Sequence, residues 1–117
     1  MAFKKMVERL TKTVDEIDRE QLTQYCDARH LAPMDHLVPR SAVRVGGEVR
    51  TVRIVPRAGA PALEVTLSDG RAQVVAVFLG RRKIAGLSPG RRVAVSGVVA
   101  RDGNRSVIFN PAYELLS

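Results

Sequence analysis

The residues of this sequence best suited to chemistry are its arginines. Fifteen of the nineteen basic residues are Arg. Nineteen basic residues against twelve Asp/Glu give a net charge of +7. Residues 1–39 carry six basic and seven acidic residues, whereas residues 40–117 carry thirteen and five, so their net charges are −1 and +8. A guanidinium group binds phosphate oxygens through two parallel hydrogen bonds and also stacks on bases. The confinement of the positive charge to one part of the chain therefore predicts a polyanionic partner for that part.

Catalytic and metal-binding chemistry has little support in the residue pattern. Cys26, His30 and His36 lie close together in the sequence, but their spacing matches no common zinc pattern. No glycine-rich phosphate-binding loop is present, since Gly46 and Gly47 lie within an apolar run, and no nucleophile–base pair is recognisable. We therefore predict a protein that is not an enzyme and that binds no metal and no cofactor.

Five short apolar runs between Val43 and Phe109 must position the arginines. They are VRVGGEVRTVRIV, ALEVTL, AQVVAVFL, RRVAVSGVV and RSVIF. The apolar phase of the first run shifts beside its glycine pair, which predicts a bulge or bend. One segment, residues 81–87, separates the third run from the fourth and is predicted to form a short helix or 3₁₀ turn. Five strands with a single insertion at this point predict a mainly β protein, a five-stranded Greek-key OB-fold barrel formed by residues 40–117.

An OB-fold binds its ligands on the face of strands two and three and with the loops beside that face. Strand two is predicted to turn Glu64 outward. Strand three is apolar on both faces, so Phe78 lies either outside, where it would stack on a base, or in the core. Phe109 is expected in the core. The candidate nucleic-acid-binding residues are Arg50, Arg53, Arg57, Arg71, Phe78, Arg81, Arg82, Lys83, Arg101 and Arg105.

Residues 1–39 are predicted to form a short α-helical extension followed by a linker. Capping-box patterns that begin at Thr13 and Asp18 predict a break near residues 12–18 and two helices, 3–11 and 19–29. These helices either pack on the barrel or form an arm, within residues 3–29, for a protein partner or a second copy of the chain. The apolar residues with the 4, 3, 4, 3 spacing of a helical seam are Phe3, Val7, Leu10, Val14 and Ile17.

Targeting signals are not evident. The N-terminal sequence MAFKKMVERL is charged where a signal peptide has its apolar core, and no run of 18 apolar residues predicts a membrane span. The single cysteine, Cys26, forms no internal disulfide, which fits a reducing compartment. We therefore expect a cytoplasmic protein.

Three segments carry a resemblance to a known family. PALEVTLSDG, FLGRRKIAGLSPGRRV and NPAYELL resemble the small OB-fold nucleic-acid-binding domain proteins of actinobacteria, which have a short helical segment and one OB domain. The pattern PGRRVAVSG…NPAYELL is also similar to the wedge domain of RecG-type helicases, which binds branched DNA. The chain has no Walker A motif and no motor domains, so the resemblance implies the fold and the binding but no unwinding activity.

The sequence leaves two functions open. The first is a binding module for single-stranded or branched nucleic acid, with DNA favoured and RNA possible, since discrimination depends on contacts to the 2′-hydroxyl. The second is a protein-interaction adaptor or a dimerising module. Arginines that converge on the face of strands two and three favour the first function, and arginines dispersed around the barrel favour the second.

Overall fold

The computed structural model describes residues 2–117, with their side chains from residue 13 onward. Within this range one α-helix and one 3₁₀ turn precede six strands that belong to a single sheet. The elements are α1 (Ala2–Ala28), the 3₁₀ turn (Met34–His36), β1 (Ala42–Arg57), β2 (Ala60–Ser68), β3 (Gln73–Leu79), β4 (Arg92–Asp102), β5 (Arg105–Phe109) and β6 (Ala112–Leu115).

The strands close into a barrel. Their order is β1-β2-β3-β5-β4-β6, and β1 also pairs with β4, so the sheet returns to its first strand. The strand pairs are antiparallel except β3 with β5, which run parallel from Val75↔Val107 to Val77↔Phe109. The predicted mainly β, five-stranded OB-fold barrel is thus confirmed. The short β6 adds to the edge of β4 after Asn110, whose positive φ of 48° interrupts the strand.

The long strand β1 serves two neighbours because it bends. Its first half pairs with β4 and its second half with β2. At the junction, a Cβ on Gly47 would lie 1.9 Å from the carbonyl oxygen of Ser68, so no side chain fits there. The register shift between Val49 and Thr51 marks a β-bulge, which increases the local twist. The predicted irregularity is therefore present, a few residues beyond the glycine pair.

Alternate residues of the strands fill the barrel interior, as a two-residue side-chain period requires. The inward residues are Val45, Val49, Leu63, Val65, Leu67, Val74, Ala76, Phe78, Val93, Val95 and Ile108. Ile84 and Leu87, from the segment after β3, are also buried in this core. That segment consists of turns, so neither the predicted short helix nor the predicted 3₁₀ turn is present. Gly80 and Gly86 there have φ of 75° and 87°, which right-handed helices exclude.

The helix α1 is one continuous element, and the predicted division into two helices is wrong. No Gly or Pro occurs between residues 2 and 28. A capping pattern does not end a helix when the residues on both sides of it can extend the helix. The helix therefore continues through the capping patterns at Thr13 and Asp18.

The C-terminal part of α1 packs on the barrel. Leu22 and Cys26 are buried against Ala94 of β4. The Thr23 hydroxyl donates a hydrogen bond of 3.0 Å to the carbonyl oxygen of Asp69, in the turn between β2 and β3. Packing on the barrel, one of the two predicted roles of the extension, is confirmed for this part of the helix.

The preceding turns of α1 leave apolar residues exposed. Val14 and Ile17 are exposed, while Phe3, Val7 and Leu10 of the predicted seam lie outside the described side chains. A docking or dimerising role for the seam stays a prediction. In the part of the chain that the structure describes, no helix combines the length and the apolar character needed to cross a membrane.

Candidate functional site

Cross-strand pairing assembles a mixed charged and apolar surface on the outside of β2, β3 and β5. One row across it consists of Arg53, Glu64, Val77 and Phe109, which are register partners on β1, β2, β3 and β5 in turn. Alternation along each strand extends this row into a patch, which we call the outer face. Its members are Arg53, Arg57, Ala62, Glu64, Thr66, Val75, Val77, Arg105, Val107 and Phe109.

Glu64 lies at the centre of the outer face. It points away from the barrel core, as predicted, yet it is only 4% exposed because arginines cover it. Its carboxylate accepts hydrogen bonds from Arg57 and Arg105 at 3.2 Å each and from Arg53 at 3.5 Å. A carboxylate removed from water to this degree needs such partners to remain ionised. One acidic residue therefore gathers three of the predicted binding residues.

A second carboxylate, Asp102, joins two hairpins across the outer face. Its Oδ2 accepts hydrogen bonds from Arg57 Nη2 at 3.2 Å and from Arg105 Nη2 at 2.9 Å. Arg57 ends β1 at the β1–β2 hairpin, whereas Asp102 and Arg105 flank the β4–β5 hairpin. The Nε–H of Arg57 is buried and has no acceptor among the described residues. The two hairpins that flank the binding face of an OB-fold are thus tied together by one guanidinium group.

Both carboxylates of the outer face are ionised at neutral pH. Burial raises the pKa of Glu64, but hydrogen bonds and charges from Arg105 and Arg57 outweigh it, so the pKa lies below its usual value. Hydrogen bonds from Arg105 and Arg57 likewise lower the pKa of Asp102. Three arginines against two carboxylates leave this cluster with a net charge of 3 − 2 = +1.

The aromatic residue on the outer face is Phe109, and this corrects two expectations. Phe78 is 5% exposed and lies in the barrel core, with its ring edge-to-face against Tyr113 at a centroid distance of 5.9 Å. Phe109, expected in the core, is 41% exposed, and the guanidinium carbon of Arg57 lies 5.4 Å from its ring centroid. Phe78 belongs to the inward phase of β3, so its ring is unavailable for stacking, whereas the ring of Phe109 is accessible.

A groove of about 460 Å³ adjoins the outer face between β3 and the β4–β5 hairpin. Its lining supplies hydroxyl, amide and guanidinium groups, which are the groups that hydrogen-bond base edges. Arg101, one of the predicted binding residues, lies here and donates a hydrogen bond of 3.3 Å to Ser106 Oγ. The groove is lined by Met34, Thr66, Ala72, Gln73, Val75, Arg101, Asn104, Arg105 and Ser106.

Two of the predicted binding arginines have partners away from the outer face. Arg50 pairs with Glu48 at 3.0 Å and borders a groove that acidic residues of α1 also line. Arg71 donates two hydrogen bonds, of 3.0 and 2.8 Å, to the carboxylate of Asp27. Arg71 therefore fastens α1 to the turn between β2 and β3.

Besides Arg101, three predicted cations have no carboxylate partner among the residues whose side chains the structure describes. Arg81, Arg82 and Lys83 follow β3, are exposed, and form no ion pair with any residue whose side chain is described. Arg82 borders a second groove, of about 300 Å³, beside the β1–β2 hairpin. These cations are available to a partner without any internal rearrangement.

Sequence reasoning missed three members of the site. The sequence predicts that Glu64 points outward but not which residues pair with it, it assigns no role to Asp102, and it places Phe109 in the core. The period-2 pattern of β2 does place Glu64 outside, but pairing partners come from strands distant in sequence. In the five-residue run RSVIF, both phases contain large apolar residues, so the pattern alone does not decide which one is buried.

The closed five-stranded barrel defines an OB-fold protein. Residues 43–116 match the model of the tRNA anti-codon family, the OB-fold nucleic acid binding domain. Since the match spans more than half of the sequence, the chain belongs to this family. None of the curated proteins compared with the sequence matches it.

Proposed function

We propose that this protein is a non-catalytic binding protein for single-stranded or branched nucleic acid, with DNA as the favoured ligand. The observation that carries the proposal is the convergence of Arg53, Arg57 and Arg105 beside the exposed ring of Phe109 on the outer face. A nucleic-acid-binding protein is expected to bring arginines together on this face. Arginines that are merely solvated would be dispersed around the barrel.

Single strands fit the chemistry of the outer face better than duplexes do. The ring of Phe109 is 41% exposed and is a surface on which an unpaired base can stack, while Val75 and Val77 of β3 are buried. Bases inside a duplex are already stacked and offer only their edges. Stacking on an aromatic ring contributes about 1–3 kcal/mol per base and is tolerant of sequence.

The phosphates of the ligand would be bound at both sides of the stacking surface. Arg101 lies in the groove at the β4–β5 hairpin, and Arg81, Arg82 and Lys83 follow the end of β3. Cations on both sides of the stacking surface suit a forked nucleic acid, in which two single-stranded backbones diverge from one junction. With about six phosphates neutralised on a single strand, log K should fall with log salt with a slope of about −4.

A protein-interaction adaptor is the second candidate, and one observation favours it. Ile54 is 56% exposed and lines the 300 Å³ groove together with Pro56 and Pro61. Apolar residues exposed together on a small domain are a feature of protein-docking surfaces. In this reading the cations around the groove form a solvated rim.

Fluorescence anisotropy with labelled single-stranded DNA, single-stranded RNA, duplex DNA and forked DNA tests the proposal, with titrations at several salt concentrations. We expect micromolar binding of single strands and forks and weaker binding of the duplex. Phe109→Ala should weaken binding about tenfold through the loss of one stacked base. Tyr113→Leu is the matched control, since it alters an exposed aromatic residue on β6, away from the outer face. Because the Tyr113 ring also packs against Phe78, thermal unfolding checks that both variants are folded.

The contribution of the cations to binding is tested with a second matched pair of variants. Arg82→Gln should weaken binding and reduce the salt slope by about 0.7. Arg91→Gln removes the same charge at the start of β4, where the chain is also exposed, and should leave the slope unchanged. No binding of any nucleic acid at about 50 mM salt, a concentration at which phosphate contacts are strong, would overturn the proposal and favour the adaptor.

A further inference from the structure

Two carboxylates occupy the centre of a surface that we assign to a polyanion. Arg57 and Arg105 each contact both Glu64 and Asp102. The N–H groups of Arg57 and Arg105 that point at these carboxylates cannot receive a phosphate at the same time, since the same donors serve both kinds of anion. Binding of a nucleic-acid backbone at these N–H groups therefore requires an exchange of anions.

The two carboxylates differ in how readily they can move away from the arginines. Glu64 is 4% exposed and lies in the middle of β2, paired on both sides by neighbouring strands. The side chain of Asp102 is 44% exposed and ends β4 beside Gly103, which has a positive φ and open space around it. Glu64 is thus a fixed part of the sheet, whereas Asp102 sits on an exposed hairpin tip that can move away.

The contacts of Asp102 are those that a phosphate oxygen makes. A single oxygen, Oδ2, accepts hydrogen bonds from two guanidinium groups at 2.9 and 3.2 Å. The shorter of the two has the length of a charge-assisted N–H···O bond to a carboxylate or phosphate. The Arg57 Nε–H, which has no acceptor among the described residues, is a further donor that one of the two non-bridging oxygens of a backbone phosphate would engage once the side chain turns.

We propose that Arg57 and Arg105 form a backbone-phosphate subsite in which Asp102 holds the place of the phosphate until nucleic acid displaces it. Glu64 keeps both guanidinium groups on the outer face during the exchange. Asp102 then lowers the affinity of the outer face for nucleic acid, because every ligand must compete with its carboxylate for the two arginines. This inference rests on the proposed function.

Two charge-matched variants test the exchange. Asp102→Asn removes the competing charge with almost no change in volume. Glu114→Gln also raises the net charge by one, but it releases Arg44, whose pair with Glu114 at 2.9 Å lies between β1 and β6. Affinity for a labelled 20-nucleotide single-stranded DNA and its salt slope are measured for both variants and for the unaltered protein, with thermal unfolding as a check of folding.

We expect Asp102→Asn to bind about tenfold more tightly and to steepen the salt slope by about 0.7, the increment for one added phosphate contact on a single strand. Glu114→Gln should change the affinity less than about twofold, the size of a surface charge effect at moderate salt. The gain should disappear when Arg57→Gln is added to Asp102→Asn, because the freed guanidinium group is then absent.

Each other outcome has a definite meaning. If the unaltered protein binds and Asp102→Asn equals Glu114→Gln, the exchange is refuted while the proposed function stands. Weaker binding by a folded Asp102→Asn variant would mean that Asp102 positions the arginines rather than competing for them, which also refutes the exchange. No binding by any of the three proteins would overturn the proposed function and the exchange together.

Discussion

Replacing Glu64 by Gln removes the charge at the centre of the outer face while it keeps the length of the side chain. The carboxylate accepts hydrogen bonds from Arg57, Arg105 and Arg53. In the variant, three guanidinium groups meet a neutral amide that offers one acceptor oxygen. We expect a lower free energy of unfolding, because part of the charge on the arginines is then uncompensated at a surface that water reaches poorly.

The magnitude follows from the exposure of the partners. Removing one member of a fully buried ion pair costs about 3–5 kcal/mol. The side chain of Arg53 is 64% exposed, so its contact adds little. Arg57 and Arg105 are partly exposed and keep Asp102 as a partner, which reduces the loss through solvent screening. We therefore expect a loss of about 2 kcal/mol, which corresponds to a decrease in Tm of about 8–10 °C for a domain of this size.

The assay is urea denaturation followed by circular dichroism at several pH values. The pKa of Glu64 in the folded protein lies below the ordinary 4.5. A carboxylate with a lowered pKa stabilises the folded state fully above the unfolded pKa, and this stabilisation is lost as the pH falls through the folded pKa. The difference between the unaltered protein and Glu64→Gln should thus be constant from about pH 7 to pH 5 and should shrink as the pH falls toward about 3.

Glu114→Gln is the control, since that carboxylate is 63% exposed and, among the residues whose side chains are described, pairs with Arg44 alone. An exposed pair of this kind contributes less than about 0.5 kcal/mol. The reasoning is refuted if Glu64→Gln destabilises the protein no more than Glu114→Gln does. It is also refuted if the loss is as large at about pH 3 as at about pH 7, since the stabilisation from a carboxylate with a lowered pKa diminishes once the pH falls below the unfolded pKa.

Three further predictions concern the core and the helix junction. Phe78→Ala should lower the free energy of unfolding by about 3–5 kcal/mol in urea denaturation, because it empties a ring-sized volume in the barrel; a loss below about 1 kcal/mol would place the ring outside. Gly47→Ala should abolish cooperative thermal unfolding, since the added Cβ would lie 1.9 Å from the Ser68 carbonyl oxygen, and a normal melting curve would contradict this close approach. Burial, with two nearby carboxylates, raises the pKa of Cys26 to about 11; a thiol reagent at pH 8 should therefore label the folded protein at least about 100-fold more slowly than the denatured chain, and equal rates would show that the helix does not cover the thiol.

The alternation of single strands was readable from the sequence. Leu63, Val65 and Leu67 alternate with Glu64 and Thr66, and the structure buries the first three in the barrel. The position of the insertion after the third strand predicted the OB-fold order, although its conformation was predicted wrongly. In both cases the information is local, because a period of two residues and a turn are properties of a short segment.

Patterns that allow two solutions were not decided by the sequence. β3 is apolar on both faces, so the sequence left open whether Phe78 lies outside or in the core. β5 has large apolar residues in both phases, and Phe109, expected in the core, is exposed. Which phase turns inward depends on the register with neighbouring strands and on the parallel pairing of β3 with β5. The helix α1 was divided at capping signals because the sequence does not reveal what supports its continuation.

By itself, the sequence determined the number of barrel strands, their order along the chain and the concentration of arginine on the barrel. Tertiary structure alone decided which arginines are free and which are held by carboxylates. Glu64 and Asp102 lie 38 positions apart in the chain, and neither is close in sequence to both Arg57 and Arg105. Pairing between distant strands brings the four together within hydrogen-bonding distance. The charge of a residue is a property of its type, whereas the compensation of that charge depends on distances that only the folded chain sets.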